Sequence, residues 1–378
     1  AQSLNKNNYS TMTIFSSDGP IKKIAEEMNI KYKVLNMKGP LMVGAHIPLS
    51  IFTIINFILH FIPNLILMRK IIIKYQPDIV HLNTSVLITQ AIVTRLMKKK
   101  LVWHIREVPP ENLFIRNIQI KIINALADKI ILVSNYLTEF YNDHSKTHVI
   151  YNHVDNEYLN IDSKKDFYKV RDEFSIDYKS RVIIMIGNVQ EVKGHFFLAK
   201  ASKRIVKLAP DIKFLIVAEK VDANYKKSII GRIKSILNIP FDNNQRLLSY
   251  VRSMGLLDNY IFTGWRNDVP RLLATSNILV FLPKKPEGFG RPLIEAMAMG
   301  LPIVANEIGP SKEICSDSSA IFSSVEKEDI FVSKIVNLLN DPGKCKSLGI
   351  EGRSRVRKYF TKEVIFPKIL NLYKNLMS

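Results

Sequence analysis

Cysteine is nearly missing from this chain. Cys315 and Cys345 are the two it has, and they form no C-x-x-C pair. That excludes a zinc knuckle or a dithiol motif, and it fits a reducing compartment with both thiols structural. Acidic residues are scarce as well: 34 Asp and Glu stand against 54 Lys and Arg, a net charge of +20. Such an excess points to anionic partners, whether nucleic acid, an acidic membrane surface or phosphorylated small molecules. The charge alone does not choose among them. Nucleic acid has no further support, because no helix-turn-helix, ribonucleoprotein or zinc motif occurs, so no nucleic-acid partner is expected. Glycine (15) and proline (17) are too few for a fibrous or disordered protein. The opening AQSLNKNNYS has neither an initiator Met nor a charged-then-apolar leader pattern, and it reads as the inside of a helix.

With 378 residues, 47% of them apolar, the chain is long enough for two domains with full cores. Short apolar runs alternate with amphipathic helices. Strands are expected at 12–17, 32–37, 79–83, 101–107, 129–134 and 147–152, with helices at 21–28, 85–97, 116–127 and 135–142 between them. The stretch 155–180 is polar and strandless, so it reads as a linker. From RVIIMIGNV (181–189) the rhythm restarts, with a helix at 194–208, a strand at 214–218, a basic insertion at 219–250, and strands at 260–264 and 278–282. This is the βαβα pattern of two doubly wound α/β domains. The expected domains are 1–165 and 181–355, with an amphipathic helix inside 356–378 that packs back toward the first.

One segment departs from the alternation. From Leu41 to Met68 there is no Asp, Glu, Lys or Arg, and 47–68 is long enough to span a bilayer. Pro63, His60 and the strand that follows at once argue against a span. A buried helix is favoured, and a helix half-immersed in the membrane interface is the other reading, supported by Arg69, Lys70 and Lys74.

The stretch PEGFGRPLIEAMAMGLPIVANEIGP (286–310) is the one the chain is organised to present. Glu287 and Glu295 bracket the turn Gly288-Phe289-Gly290. A helix is expected from near Pro292 to Gly300, followed by the strand Ile303-Val304-Ala305. In a strand, glycine loop, helix unit the loop N–H groups and the helix N-terminus face an anion. A short Gly-x-Gly is a weak signal by itself, and two solvated glutamates on an ordinary turn remain the plain alternative.

Several spaced elements then coincide. Glu287-GFGRPLI-Glu295 looks like the E-x₇-E signature of the retaining, nucleotide-sugar-dependent glycosyltransferases of family four, which have the GT-B fold. PDIVHLN (77–83), WHIRE (103–107), VSN (133–135), IYNHVD (150–155) and IGNVQEVKGHFFLAKA (186–201) resemble further elements of that family. The resemblance covers nearly the whole chain. It implies two Rossmann-like domains with a donor cleft between them. It also implies that the family's first strand and Gly-Gly loop are missing here, as in an N-terminally truncated member.

The resemblance further implies a retaining sugar transfer from a UDP-sugar, or next GDP-mannose, by front-face displacement, with the leaving phosphate helping to deprotonate the acceptor hydroxyl. Glu295 would hold the ribose hydroxyls, Glu287 would contact the transferred sugar, and Lys193 would meet the β-phosphate. Gly288, Phe289, Gly290 and Arg291 would line the sugar and phosphates, and His104 would touch a sugar hydroxyl. Trp265, Arg266 and Asn267 would flank the base. The family usually has an Arg where this chain has Asn188, which donates a hydrogen bond but brings no charge. No cofactor or metal is demanded, since cationic side chains replace the ion.

The uncharged helix with its basic end favours a glycan or polyprenyl-diphosphate-linked acceptor at an anionic membrane surface. That would place the chain in the cytoplasm, peripheral on the inner face of the membrane, in bacterial surface polysaccharide assembly. A GT-B sugar-nucleotide epimerase, or an idle nucleotide- or membrane-binding subunit, is the alternative.

Overall fold

The computed structural model describes residues 2–19, 21–40, 50–160, 163–218 and 242–378, the side chains of 163–166 aside. The start of the uncharged stretch, 41–49, and most of the basic insertion expected at 219–250 lie outside the described residues. The chain divides into two compact units, Ala1–Tyr151 with Glu363–Ser378, and Asn152–Lys362.

The first unit opens with α1 (Gln2–Asn5), β1 (Thr13–Phe15), α2 (Ile21–Glu27) and β2 (Tyr32–Val34). β1 and β2 pair in parallel as a two-stranded sheet of their own. After α3 (Ile51–Tyr75) come β3 (Ile79–Asn83), α4 (Ile88–Leu96), β4 (Lys100–Ile105), α5 (Leu113–Leu126), β5 (Lys129–Leu132) and β6 (Thr147–Val149). β3 to β6 form a four-stranded parallel sheet in sequence order. The helix expected at 135–142 is a single 3₁₀ turn, Asn135–Glu139.

The pleat sorts this sheet into two faces. Register pairs His81 with Val102, Asn83 with His104, and His104 with Ile131, so these side chains share one face. The chain's last helix supplies Ile365, Leu372, Tyr373 and Leu376 to a core with Val102 and Ile131 on that face. α4 packs on β3 and β4 and is flanked by α3 and α5.

α3 overturns the expectation of a buried helix. Its inward side holds Asn64, Met68, Ile71 and Ile72, and the Asn64 amide donates to Lys38 O at 2.7 Å. Its outward stripe at spacings of three and four, Phe52, Ile55, Leu59, Ile62 and Ile66, is exposed, Phe52 to 80% and Leu59 to 67%. Apolar side chains line both sides of these turns, since Ile54, Phe57, Phe61 and Leu65 are half-buried while the stripe opposite is exposed. The helix is apolar all round rather than amphipathic.

The second unit begins where a linker was expected, and here the sequence reading is corrected. Residues 155–180 form α6 (Glu157–Asn160) and α7 (Ser163–Glu173), and Arg171 is 2% exposed. Its guanidinium donates to Asp177 O at 2.5 Å and Thr275 O at 3.2 Å. A polar composition hid an inward arginine that ties two loops. The division therefore falls after Tyr151 rather than at 165, and residues 356–362 stay with the second unit, where Val154 N donates to Phe360 O at 2.9 Å.

The remaining elements are β7 (Arg181–Ile186), α8 (His195–Leu208), β8 (Ile212–Val217), α9 (Asn243–Ser253), β9 (Tyr260–Phe262), α10 (Val269–Ala274), β10 (Ile278–Phe281), α11 (Arg291–Met299), β11 (Ile303–Ala305), α12 (Ser311–Cys315), β12 (Ile321–Phe322), α13 (Glu328–Leu339) and α14 (Pro342–Tyr359). The closing helix α15 is Lys362–Met377. The sheet order is β12-β11-β10-β7-β8-β9, all parallel. β7 and β10 are buried almost throughout, which is why they read as unbroken apolar runs. From β7 the chain winds to β8 and β9, and from β10 it winds the other way. The switch point therefore lies between β7 and β10, and ligands in such sheets bind beyond the strand ends there.

Candidate functional site

The loops leaving β7 and β10 meet at that switch point. After β7 the chain passes Gly187 and Asn188, makes a 3₁₀ turn at Glu191–Lys193, and enters α8 through Gly194. Gly194 is left-handed (φ 87°), and a Cβ there would come within 2.1 Å of Leu282 O at the end of β10. Only glycine lets the helix start approach the neighbouring strand so closely. Lys284 N donates to Val192 O at 2.7 Å, which fixes the second loop against the first.

This arrangement places Lys193 Nζ 2.8 Å from Glu287 Oε1, with both side chains partly open to solvent. The cation and the first carboxylate of the E-x₇-E run are therefore partners in the free protein. Behind them Asn306 is 8% exposed, and its amide donates to Pro283 O at 2.6 Å. Gly309 (φ 54°) lies so close to Pro286 that a Cβ would be 3.0 Å from the ring. The Gly-Pro turn thus supports the glutamate loop from below.

α11 begins at Gly290 (φ 96°) with Pro292 in its first turn, and it ends at Gly300 (φ 70°), whose N–H caps Ala296 and Met297 carbonyls. Phe289 is 4% exposed and packs edge-on against Phe360. Its side chain belongs to the core, so only its backbone is offered to a ligand. One turn into the helix, Glu295 is 7% exposed and pairs with Arg291 at 3.1 Å. Burial pushes the Glu295 carboxyl up, Arg291 opposes this, and Asp155 adds to it. Tyr158 of α6 is close enough that Glu295 raises its phenol further, after burial. Tyr158 was missed by sequence reasoning because it lies in the stretch read as linker, and Asp155 entered only as the last residue of IYNHVD, with no role given to it.

Asn188 is exposed at the start of the loop that leaves β7. Arg266, expected to flank the base, sits between two carboxylates. Its guanidinium is gripped by Asp268 (2.7 Å) and Glu173 (2.5 Å), and these hydrogen bonds raise its pKa. Two carboxylates already neutralise it, so it brings no net charge to a base, whereas Trp265 stays 59% exposed beside it. No group of three or more His, Cys, Asp or Glu side chains fit to hold a metal occurs among the described residues.

His104 belongs to the first unit. It is 6% exposed at the carboxyl end of β4, and its Nδ1 lies 3.2 Å from His81 Nε2. The far nitrogen of His81 lies 2.5 Å from Tyr373 Oη. Burial first, then the Arg106 charge, hold His81 down at about 4 and His104 down at about 2. Both rings are therefore neutral at pH 7. Beside them Glu107 accepts from Ser85 N (3.1 Å) and Arg106 N (3.3 Å), and the Trp103 indole donates to Thr84 O (2.8 Å). The loops that follow β3 and β4 are held together by these bonds.

A lysine at a helix start, a glycine-cradled helix N-terminus and a buried carboxylate, gathered at a sheet switch point, suit a ligand with a diphosphate and a diol. The family model described as glycosyl transferases group 1 matches residues 166–355, which contain all of these groups. The chain belongs to that family. The model described as glycosyltransferase family 4 matches residues 11–158.

Among curated relatives, the N-acetyl-alpha-D-glucosaminyl L-malate synthase of Bacillus anthracis is 24% identical over 60% of this chain and 53% of its own length. The UDP-Gal:alpha-D-GlcNAc-diphosphoundecaprenol alpha-1,3-galactosyltransferase of Escherichia coli is 28% identical over 54% of this chain and 48% of its own length. The chain thus spans about half the length of these relatives. Among solved structures, Anabaena HepE in complex with UDP-glucose aligns with a TM-score of 0.79 at 18% identity, over 99% of this chain and 94% of that one. A glycosyltransferase from Rickettsia africae aligns with a TM-score of 0.75 at 21% identity, over 100% and 93%. At these identities the likeness is one of fold, and the fold is GT-B.

Proposed function

We propose that this chain is a retaining glycosyltransferase that moves a sugar from a UDP-sugar, with GDP-mannose the second choice, onto a glycan or polyprenyl-diphosphate-linked saccharide. The observation that carries this reading is the switch-point constellation, Lys193 paired with Glu287 in front of buried Glu295. On this reading Glu295 accepts from both ribose hydroxyls. Lys193, Arg291 and the N-terminus of α11 take the charge that grows on the diphosphate as it leaves. Glu287 releases Lys193 to the phosphate and turns to a hydroxyl of the transferred sugar. The leaving phosphate accepts the proton of the incoming acceptor hydroxyl on the face it leaves from, which retains the anomeric configuration. No metal takes part, because side-chain cations and helix N–H groups do its work. Support for the substrate classes comes from the names of the Escherichia coli relative, whose acceptor is a diphosphoundecaprenol saccharide, and of the UDP-glucose complex.

The test is nucleotide release from a panel of UDP- and GDP-sugars, with and without bacterial membrane lipid, and with EDTA. Release from one donor that requires lipid and ignores EDTA is expected. Release without acceptor would indicate epimerisation or hydrolysis instead, and silence from every donor in folded protein would leave an idle binding subunit.

The acceptor reading extends to place. The exposed apolar stripe of α3, about 21 Å long from Phe52 to Ile66 at 1.5 Å per residue, ends where Arg69, Lys70 and Lys74 begin. An apolar stripe continuing into a basic end matches an anionic lipid surface, each such cation contributing about 1 kcal/mol. The chain would then sit on the inner face of the cytoplasmic membrane and work in surface polysaccharide assembly. Sedimentation with phosphatidylglycerol vesicles should show binding that falls at least about tenfold in the Phe52→Glu/Leu59→Glu variant. Binding that is unchanged, or a dimer that the variant breaks, would refute the lipid assignment.

A further inference from the structure

The three rings Tyr373, His81 and His104 form one buried chain of polar contacts that ends on an unpartnered atom. Tyr373 Oη meets His81 Nδ1 at 2.5 Å, and His81 Nε2 meets His104 Nδ1 at 3.2 Å. His104 Nε2 is buried and has no hydrogen-bond partner among the described residues. Two proton arrangements satisfy both inner contacts. In one, the phenol donates to His81 Nδ1, His81 Nε2–H donates to His104 Nδ1, and His104 presents an Nε2–H. In the other every bond is reversed, and His104 presents a bare nitrogen.

The chemistry of the ends separates the two. A phenol O–H is a stronger donor than an imidazole N–H, and an imidazole nitrogen is a stronger acceptor than a phenol oxygen. The first arrangement sets the strongest donor on the strongest acceptor, and besides a weak phenol lone pair it leaves the His104 Nε2–H without an acceptor, aimed outward from the chain of rings. The second leaves two stronger groups unpartnered, the phenol O–H and the bare His104 nitrogen, and so gives up more. No other partner of Tyr373 Oη is found among the described residues; its ring packs against those of Tyr9 and His81. Among the described residues the charged group facing the pair is Arg106. It disfavours protonation of both rings, and the positive amino terminus disfavours that of His81, so a second proton does not blur the arrangement.

We infer that Tyr373, carried by the last helix, sets the tautomer of His104 through His81, so that His104 acts as a neutral Nε2–H donor to a substrate oxygen and not as a general base. Tyr373 and His81 are positioning residues, and the inference rests on the transferase reading given above. The donor serves a hydroxyl or ring oxygen of the sugar or acceptor. An anionic oxygen would be held as well, but proton abstraction is closed to it. The arrangement also gives the last helix a purpose beyond covering the sheet, because the proton order at His104 is fixed from 292 residues away along the chain from His81.

The test begins with long-range ¹H–¹⁵N correlation of the histidine rings in the whole protein at pH 7. Protonated Nε2 on both His81 and His104 is expected, with no titration of either ring above pH 5. Protonated Nδ1 on His104 would overturn the inference without touching the transferase reading. The second arm is Tyr373→Phe, which keeps the ring in the core. A mixed tautomer signal at His104 is expected, with a five- to tenfold fall in kcat and little change in the KM for the nucleotide sugar. His81→Gln should behave alike. A variant that loses thermal stability but keeps a single His104 tautomer and the native kcat would show that the phenol is structural only. If no donor sugar is turned over at all, the transferase reading fails, and the tautomer measurement still stands on its own.

Discussion

Glu295→Ala is expected to lower kcat/KM for the donor by about 10²- to 10³-fold while leaving the protein at least as stable. The first half follows from two hydrogen bonds to one carboxylate. Each charge-assisted bond contributes about 1.5–3 kcal/mol, and a ribose diol loses both together. The second half follows from burial. The Glu295 carboxyl is 7% exposed and its pKa is raised, so the ionised form is disfavoured in the free fold. A carboxylate whose folded pKa lies above its unfolded value opposes folding at neutral pH, and this opposition fades as the pH falls toward the unfolded value. Removing it relieves a desolvated charge that binding would otherwise relieve. Activity titrations and thermal melts on the same sample read both halves. A melt several degrees lower, with donor binding intact, would make Glu295 a structural member of the Arg291 pair and nothing more.

Lys193→Met should reduce kcat by about 10²- to 10³-fold, the usual consequence of removing one group that meets charge developing in a transition state. Stability should change by less than about 1 kcal/mol. The ion pair with Glu287 at 2.8 Å has side chains 33% and 20% exposed, and pairs so open to solvent contribute little. Glu287→Gln separates the two explanations. If the pair were merely structural, both variants would behave alike. If Lys193 serves the phosphate, freeing it from Glu287 should preserve or tighten binding of UDP itself while transfer of the sugar falls. A Lys193→Met enzyme within threefold of the native rate would remove this lysine from the mechanism.

Much of the frame was legible in the sequence because parallel strands buried on both faces leave an unmistakable trace. RVIIMI and ILVF are short, β-branched, nearly continuous apolar runs closed by glycine or proline, as strands covered on both faces are. Pro292 and Gly300 announced the ends of α11 for local reasons, a fixed φ at one and a left-handed cap at the other. Burial of charged side chains left no such trace. Arg171 sat unseen in a polar stretch, and nothing near Arg266 in the chain pointed to its pairing with Glu173, 93 residues away.

What the sequence determined by itself was therefore local and periodic: two α/β halves, the glycine turns, the two glutamates that bracket one of them and the lysine that precedes Gly194. Spacing along a chain is enough for these, since strand period, helix period and turn chemistry are each written within a few residues. The tertiary structure alone decided which side of α3 faces out, because a helix apolar all round carries no direction. It also decided that Tyr158 stands beside Glu295 and Tyr373 beside His81. Those meetings are made by packing between distant elements, and the shape of a core, unlike the period of a strand, is not encoded in any one stretch.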